Sequence, residues 1–218
     1  MTDASRNPIA ARPAPRRRMS VDERRDQILD AVRDLVDAEG FHAVAMDRIA
    51  QACGITRTLI YQQFGNLPGL LLAMVDREFG RAAAAFQRAE RRPPAPGQSR
   101  FAAGVAGVLE AVDADPATWR MLLMPSQGGP PELYERLEQA RSLTRAHMNE
   151  ALLAADPALS SLTNPDRALA IAMLHTMSQE LVRLRLRDPA AYTAERLLAQ
   201  AEWMNKAMFG RKPGTPAP

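Results

Sequence analysis

An all-α fold is predicted for this chain of 218 residues, with a small N-terminal domain of three helices followed by a larger helical domain. Three observations carry that expectation. Apolar residues recur at helical spacing along nearly the whole sequence. Helix start and stop signals punctuate it at regular intervals: Ser20, Gly40, Gly54, Thr56, Gly65-Asn66, Asp115-Pro116 and Asn164-Pro165. No segment alternates as a strand would, and no internal repeat is visible.

The elements follow in order. Residues 1–18 are rich in Pro, Arg and Ala without periodicity and read as a disordered basic arm carrying Arg6, Arg12, Arg16, Arg17 and Arg18 against Asp3. Ser20-Val21-Asp22-Glu23 is a capping box. Behind it Ile28, Leu29, Val32, Leu35 and Val36 form one apolar stripe that Gly40 closes. A second helix runs from about Met46 to Cys53 and a third from about Arg57 to Phe64, capped by Thr56. Asn66 starts a long fourth helix to about Arg92, with Pro68 in its first turn. After the break at 93–97 come a fifth helix (Phe101–Val112), a short sixth opened by Asp115-Pro116, and a loop at Pro125–Pro131. A seventh helix follows (about Glu132 to Ala154), then an eighth (Asn164 to about Arg187) and a ninth ending near Phe209. The reading is thus of about nine helices. Residues 1–18 are the arm, 19–66 the first domain, 67–210 the second and 211–218 a Pro-rich tail.

Composition narrows the function. Hydrophobic residues make up 46% and charged residues 24%, values of an ordinary globular protein. No apolar run reaches the roughly 18 residues of a membrane span, and the start of the chain lacks a signal-peptide stretch, so a cytoplasmic location is expected. The single cysteine, Cys53, is expected to be a buried packing residue, and His42, His147 and His175 are too scattered for a metal site. No phosphate-binding glycine loop, nucleophile elbow or paired-carboxylate signature is present. Neither an enzyme nor a cofactor is expected. The net charge is only +3, but the arginines gather at the N-terminus, where they suit a nucleic-acid backbone.

The informative segment is 24–79. Two short helices joined by Ala52-Cys53-Gly54-Ile55-Thr56 make a helix-turn-helix. The second helix carries Arg57, Thr58, Gln62 and Gln63 outside. Arg can bridge guanine O6 and N7, and Gln adenine N6 and N7, so an exposed helix of this kind suits the major groove.

The run Ile28-Leu29-Asp30-Ala31, Leu35, Gly40-Phe41, Ile49-Ala50, Ala52-Cys53-Gly54-Ile55-Thr56-Arg57, Ile60-Tyr61-Gln62-Gln63-Phe64, Asn66 and Leu70 resembles the N-terminal signature of the TetR family of bacterial regulators. The likeness covers about a quarter of the chain. It implies a homeodomain-like DNA-binding domain and a ligand-binding and dimerisation domain. By position it implies that Arg57, Thr58 and Gln62 face bases and that Leu59 meets a thymine methyl. Tyr61, Gln63 and the Thr56 cap would touch phosphates, with Arg48 near the backbone. Two positions depart from the family pattern. Ala45 stands where Thr usually caps helix 2, a loss of about 1 kcal/mol. Leu67 stands where a phosphate-contacting Lys is usual, and the arginine arm is expected to compensate.

Helix 8 carries Leu169, Ile171, Met173, Leu174, Met177, Leu181, Val182 and Leu184, too many for one narrow stripe, so one face is left for a partner. The resemblance implies a homodimer through helices 8 and 9, for which Ile171, Leu174, Met177, Leu181, Leu197, Ala201, Met204 and Met208 are the candidate interface. It also implies a small-molecule effector, and Phe79, Phe86, Phe101, Trp119, Met121, Tyr134 and His175 are the candidate pocket lining, suited to a largely apolar or aromatic ligand. The expected function is a repressor released from a pseudo-palindromic operator by that ligand. The alternatives are an activator on the same scaffold, or a helical protein or enzyme that kept the fold without binding DNA.

Overall fold

The computed structural model describes residues 19–124, 128–155, 159 and 162–209. The basic arm, the C-terminal tail and the side chains of His147 and Met148 lie outside them. The helices are α1 (Val21–Glu39), α2 (Met46–Cys53), α3 (Arg57–Phe64), α4 (Leu67–Arg91), α5 (Arg100–Ala114), α6 (Pro116–Leu123), α7 (Pro131–Ala155), α8 (Asn164–Arg187) and α9 (Ala194–Phe209). No strand occurs among the described residues.

Local chemistry sets the helix ends. At α1, Ser20 Oγ accepts from the Glu23 amide at 3.1 Å, while the Glu23 carboxylate accepts from the Ser20 amide at 2.7 Å. Gly54 closes α2 in the left-handed conformation at φ 63°. Asn66 caps α4 through the Gly69 amide at 2.8 Å. Gly69 is required there, because a Cβ would lie 2.3 Å from the Phe64 carbonyl oxygen. Ala45 provides no side-chain cap to α2, and Asp47 in the first turn is the acidic group facing that helix dipole. One turn was not anticipated: Phe41–Ala43 forms a short 3₁₀ segment that buries Phe41.

The small domain and the larger one share one continuous core. It runs from Ile28, Leu29 and Val32 of α1 through Leu70, Leu71, Met74 and Val75 of α4 to Leu174, Leu181 and Ala201 of α8 and α9. α4 contacts α1 and α3 on one side and α5, α6 and α7 on the other. It approaches α5 closely at Gly107, where a Cβ would sit 2.5 Å from that of Ala89.

Two further joints reach across. α6 lies on α1, where Arg120 grips Asp37 in a two-pronged ion pair with both contacts at 2.6 Å. The segment before α7 touches the 3₁₀ turn, where a Cβ on Gly128 would be 2.7 Å from the Cβ of His42.

Candidate DNA-binding face and effector cavity

The face is built on α3. Ile60 and Phe64 are buried, which fixes the opposite side outward. Arg57, Thr58, Tyr61 and Gln62 are exposed there, with Tyr61 at 42%. Leu59 and Gln63 are only half-buried, and the Gln63 side-chain oxygen is buried without a partner, so that oxygen is not offered to the surface. The Thr56 hydroxyl accepts from the Leu59 amide at 3.4 Å and is thereby occupied as a cap. The guanidinium of Arg25 stacks 4.4 Å over the Phe64 ring and donates to the Gln63 carbonyl, pinning the end of α3 to α1.

Both arginines expected at the DNA are held by acids. Arg48 binds Glu39 through two contacts, at 2.7 and 2.9 Å, and its hydrogen bond holds the Glu39 carboxyl below its usual range. Arg57 meets Asp47 at 3.1 Å, and neighbouring Tyr61 and Asp47 raise its pKa. The helix face therefore carries less free positive charge than its sequence suggests.

A second feature lies in the larger domain: a cavity of about 170 Å³ walled by α4, α5, α6, α7 and α8. Phe79, Phe86, Phe101, Trp119 and His175 line it, together with Val105, Val108, Leu122 and Val182. The rings of Phe86 and Trp119 meet edge to face, 5.4 Å between centroids at 78°. Two expected lining residues lie elsewhere. Met121 is buried and does not border the cavity: it sits two positions from Trp119, which turns it to another side of α6. Tyr134 is also off the cavity, its hydroxyl accepting from the Gly129 amide at 3.1 Å.

The expected dimer residues differ in how far they are covered within the single chain. Ile171, Leu174, Leu181, Leu197 and Ala201 are at most 5% exposed in the single chain. A side chain already covered by its own protomer has no area left for a partner. Met177, Met204 and Met208 are half-buried. The open apolar side chains on these helices are Leu169 (62%), Met173 (49%) and Trp203 (63%).

Sequence reading missed the joint beneath the cavity. Glu78 of α4 is fully buried and accepts from Arg77 at 2.9 Å, from Arg81 at 3.2 Å and from the Thr118 hydroxyl of α6. Arg77 also meets Asp30 of α1 at 2.8 Å. The signal was present, since Glu78 falls on the stripe with Leu71, Met74, Val75, Ala82 and Ala85. Cys53 is buried, and burial pushes its thiol pKa up, which suits packing and not reactivity.

Residues 28–74 match the family model of bacterial regulatory proteins of the TetR family. The chain is 31% identical over 122 residues to the transcriptional regulator EthR of Mycolicibacterium smegmatis, covering 55% of each. It is 29% identical over 105 residues to the transcriptional activator FasR of the same species, covering 48% of each. The chain thus spans about half the length of these curated relatives. Among solved structures it resembles a TetR-like regulator from Rhodococcus sp. RHA1, with TM-score 0.68, 22% identity, and coverage of 89% of this chain and 100% of that one. It also resembles FadR of Bacillus subtilis in complex with stearoyl-CoA, with TM-score 0.64, 16% identity, and coverage of 84% and 97%. At such identities these structures establish the fold.

Proposed function

We propose that the chain, whose residues 28–74 match the TetR-family model and whose helical fold resembles TetR-like regulators, is a dimeric, DNA-binding transcriptional regulator controlled by a small apolar effector. The observation that carries this is the outward side of α3. Arg57, Thr58, Tyr61 and Gln62 share one exposed face, whose reverse is locked into the core by Ile60 and Phe64. Arg57, Thr58 and Gln62 read base edges, while Tyr61 and Arg48 hold phosphates. The two arginines exchange Asp47 and Glu39 for phosphate on binding, and the arginine arm at 1–18 supplies the long-range attraction.

The dimer forms through the face of α8 and α9 that shows Leu169, Met173 and Trp203. Two-fold symmetry then matches a pseudo-palindrome with half-sites about one helical turn apart. The cavity is the effector site, and its apolar lining fits a hydrocarbon-rich molecule, as in the FadR complex. An effector that prefers a displaced Trp119 shifts α6, and with it the Arg120–Asp37 grip on α1, while also bearing on α4. Release from the operator makes the protein a repressor. FasR is a transcriptional activator, so an activator on the same scaffold is the second reading, and the position of the operator relative to the promoter decides between them. Footprinting on DNA upstream of the protein's own gene tests the proposal. A protected pseudo-palindrome supports it, and no protection anywhere in a genomic library rejects it.

A further inference from the structure

The cavity volume of about 170 Å³ limits what the site can take. An apolar cavity of about 150 Å³ accommodates one benzene molecule, so this one holds a single ring with about two further heavy atoms, and not a long hydrocarbon chain. Position 104, in the middle of α5, shows where the room lies. Gly104 belongs to the lining, and a Cβ there would meet no atom within 4 Å. Gly107, one turn on, differs, since a Cβ there would lie 2.5 Å from that of Ala89. Close packing thus requires glycine at 107 and not at 104, where it lowers helix propensity and leaves open space.

The walls are more aromatic than the composition provides. Aromatic residues make up 5% of the chain, yet three of its six phenylalanines and one of its two tryptophans line this cavity. They come from three helices: Phe79 and Phe86 from α4, Phe101 from α5 and Trp119 from α6. Phe86 and Trp119 already meet edge to face. Phe79 and Phe86 are only half-buried, so part of each ring remains uncovered. A guest ring meets such walls edge to face or offset and gains beyond its buried area, whereas an alkyl chain gains by area alone. The lining also holds Glu90, Arg100 and Arg141, charges of both signs, so it dictates no single charge for a substituent on the ring.

Resting on the effector-site reading above, we infer that the effector is a compact molecule built on one aromatic ring, seated in the space that Gly104 leaves open. This narrows the apolar effector to a substituted benzene or a compound of that size, as opposed to a long-chain lipid.

Calorimetric titration of the full chain tests this with four neutral alcohols: 2-phenylethanol, 2-cyclohexylethanol, 1-octanol and 1-dodecanol. The first two share one skeleton and differ in aromaticity, and the phenyl compound is expected to bind about twofold to fivefold more tightly. Dodecanol is expected to bind within about twofold of octanol, because its four further methylenes find no room; if buried, each would add about fourfold. Gly104→Leu fills the space from a position where the Cβ has room and leucine favours the helix, so it melts no lower than the original and binds 2-phenylethanol about tenfold more weakly. Equal or tighter binding of the cyclohexyl compound overturns the aromatic character and leaves the effector site standing. An affinity that climbs about fourfold per methylene to dodecanol overturns the size limit. Unchanged 2-phenylethanol binding in Gly104→Leu overturns the placement of the ring. If no probe binds, the cavity is not an effector site and both readings fall. The comparisons in the unaltered protein decide even if the variant does not fold.

Discussion

Replacing Glu78 by Gln keeps the shape of the side chain and removes its charge, at a position that is 0% exposed. Its carboxylate is shared by Arg77, Arg81 and Thr118, and Arg77 is itself only 14% exposed. Removing one partner from a buried ionic network costs about 3–5 kcal/mol. The lower end applies, because Arg77 keeps Asp30 at 2.8 Å and Asp26 at 3.4 Å, and Arg81 is 40% exposed to solvent. At roughly 2–4 °C per kcal/mol for a chain of this size, Tm falls by about 6–12 °C. Thr118→Val, which removes the hydroxyl that meets the carboxylates of Glu78 and Asp115, costs about 1.5–3 kcal/mol. Thermal unfolding at fixed protein concentration measures both. A Glu78→Gln protein that melts within about 1 °C of the original would refute the reasoning, since the carboxylate could not then be holding α4, α6 and α1 together.

Three further outcomes are expected. Gly107→Ala gains helix propensity but drives a methyl into the Ala89 backbone, 2.8 Å from its Cα, so denaturant unfolding is expected to show a net loss of about 1–2 kcal/mol. Leu169→Glu with Trp203→Glu places charges on the open apolar face and yields monomers by sedimentation at concentrations where the unaltered protein is dimeric; an unchanged dimer places the interface elsewhere. His175, whose folded pKa is depressed below 6.5, contributes stability that is fully present above that unfolded value and lost as pH falls towards the folded one. The Tm difference between about pH 7.5 and about pH 5.5 therefore shrinks in His175→Phe.

Much of this was legible in the sequence for identifiable reasons. Helix ends are local: the Ser20 box, Gly54 and the Asn66 cap act within four residues, and all three stand in the structure as the sequence implied. The recognition face followed from the period of Ile60 and Phe64. What the sequence did not disclose depends on partners far along the chain. Arg120 meets Asp37 across 83 residues, and Glu78 meets Thr118 across 40. Nothing in a local pattern selects those pairs among the chain's 28 basic and 25 acidic residues. The interface candidates divide between covered and open residues for a related reason. α8 is apolar on more than one face, so periodicity could not say which residues face inward, and Ile171 and Leu174 turned out to be core while Leu169 and Met173 stayed open. Of the seven residues expected at the cavity, Phe79, Phe86, Phe101 and Trp119 on α4, α5 and α6 and His175 on α8 line it, whereas Met121 and Tyr134 turn away.

The most direct test of the central claim is fluorescence anisotropy of the purified protein on labelled DNA from upstream of its own gene. Random DNA and the double variant Arg57→Ala/Tyr61→Ala serve as controls, across a salt titration. The α3 face predicts tight binding to the upstream DNA over random DNA, weakening steeply with salt and lost in the double variant. Specific binding that survives in the double variant, or none to any genomic DNA at low salt, would contradict it.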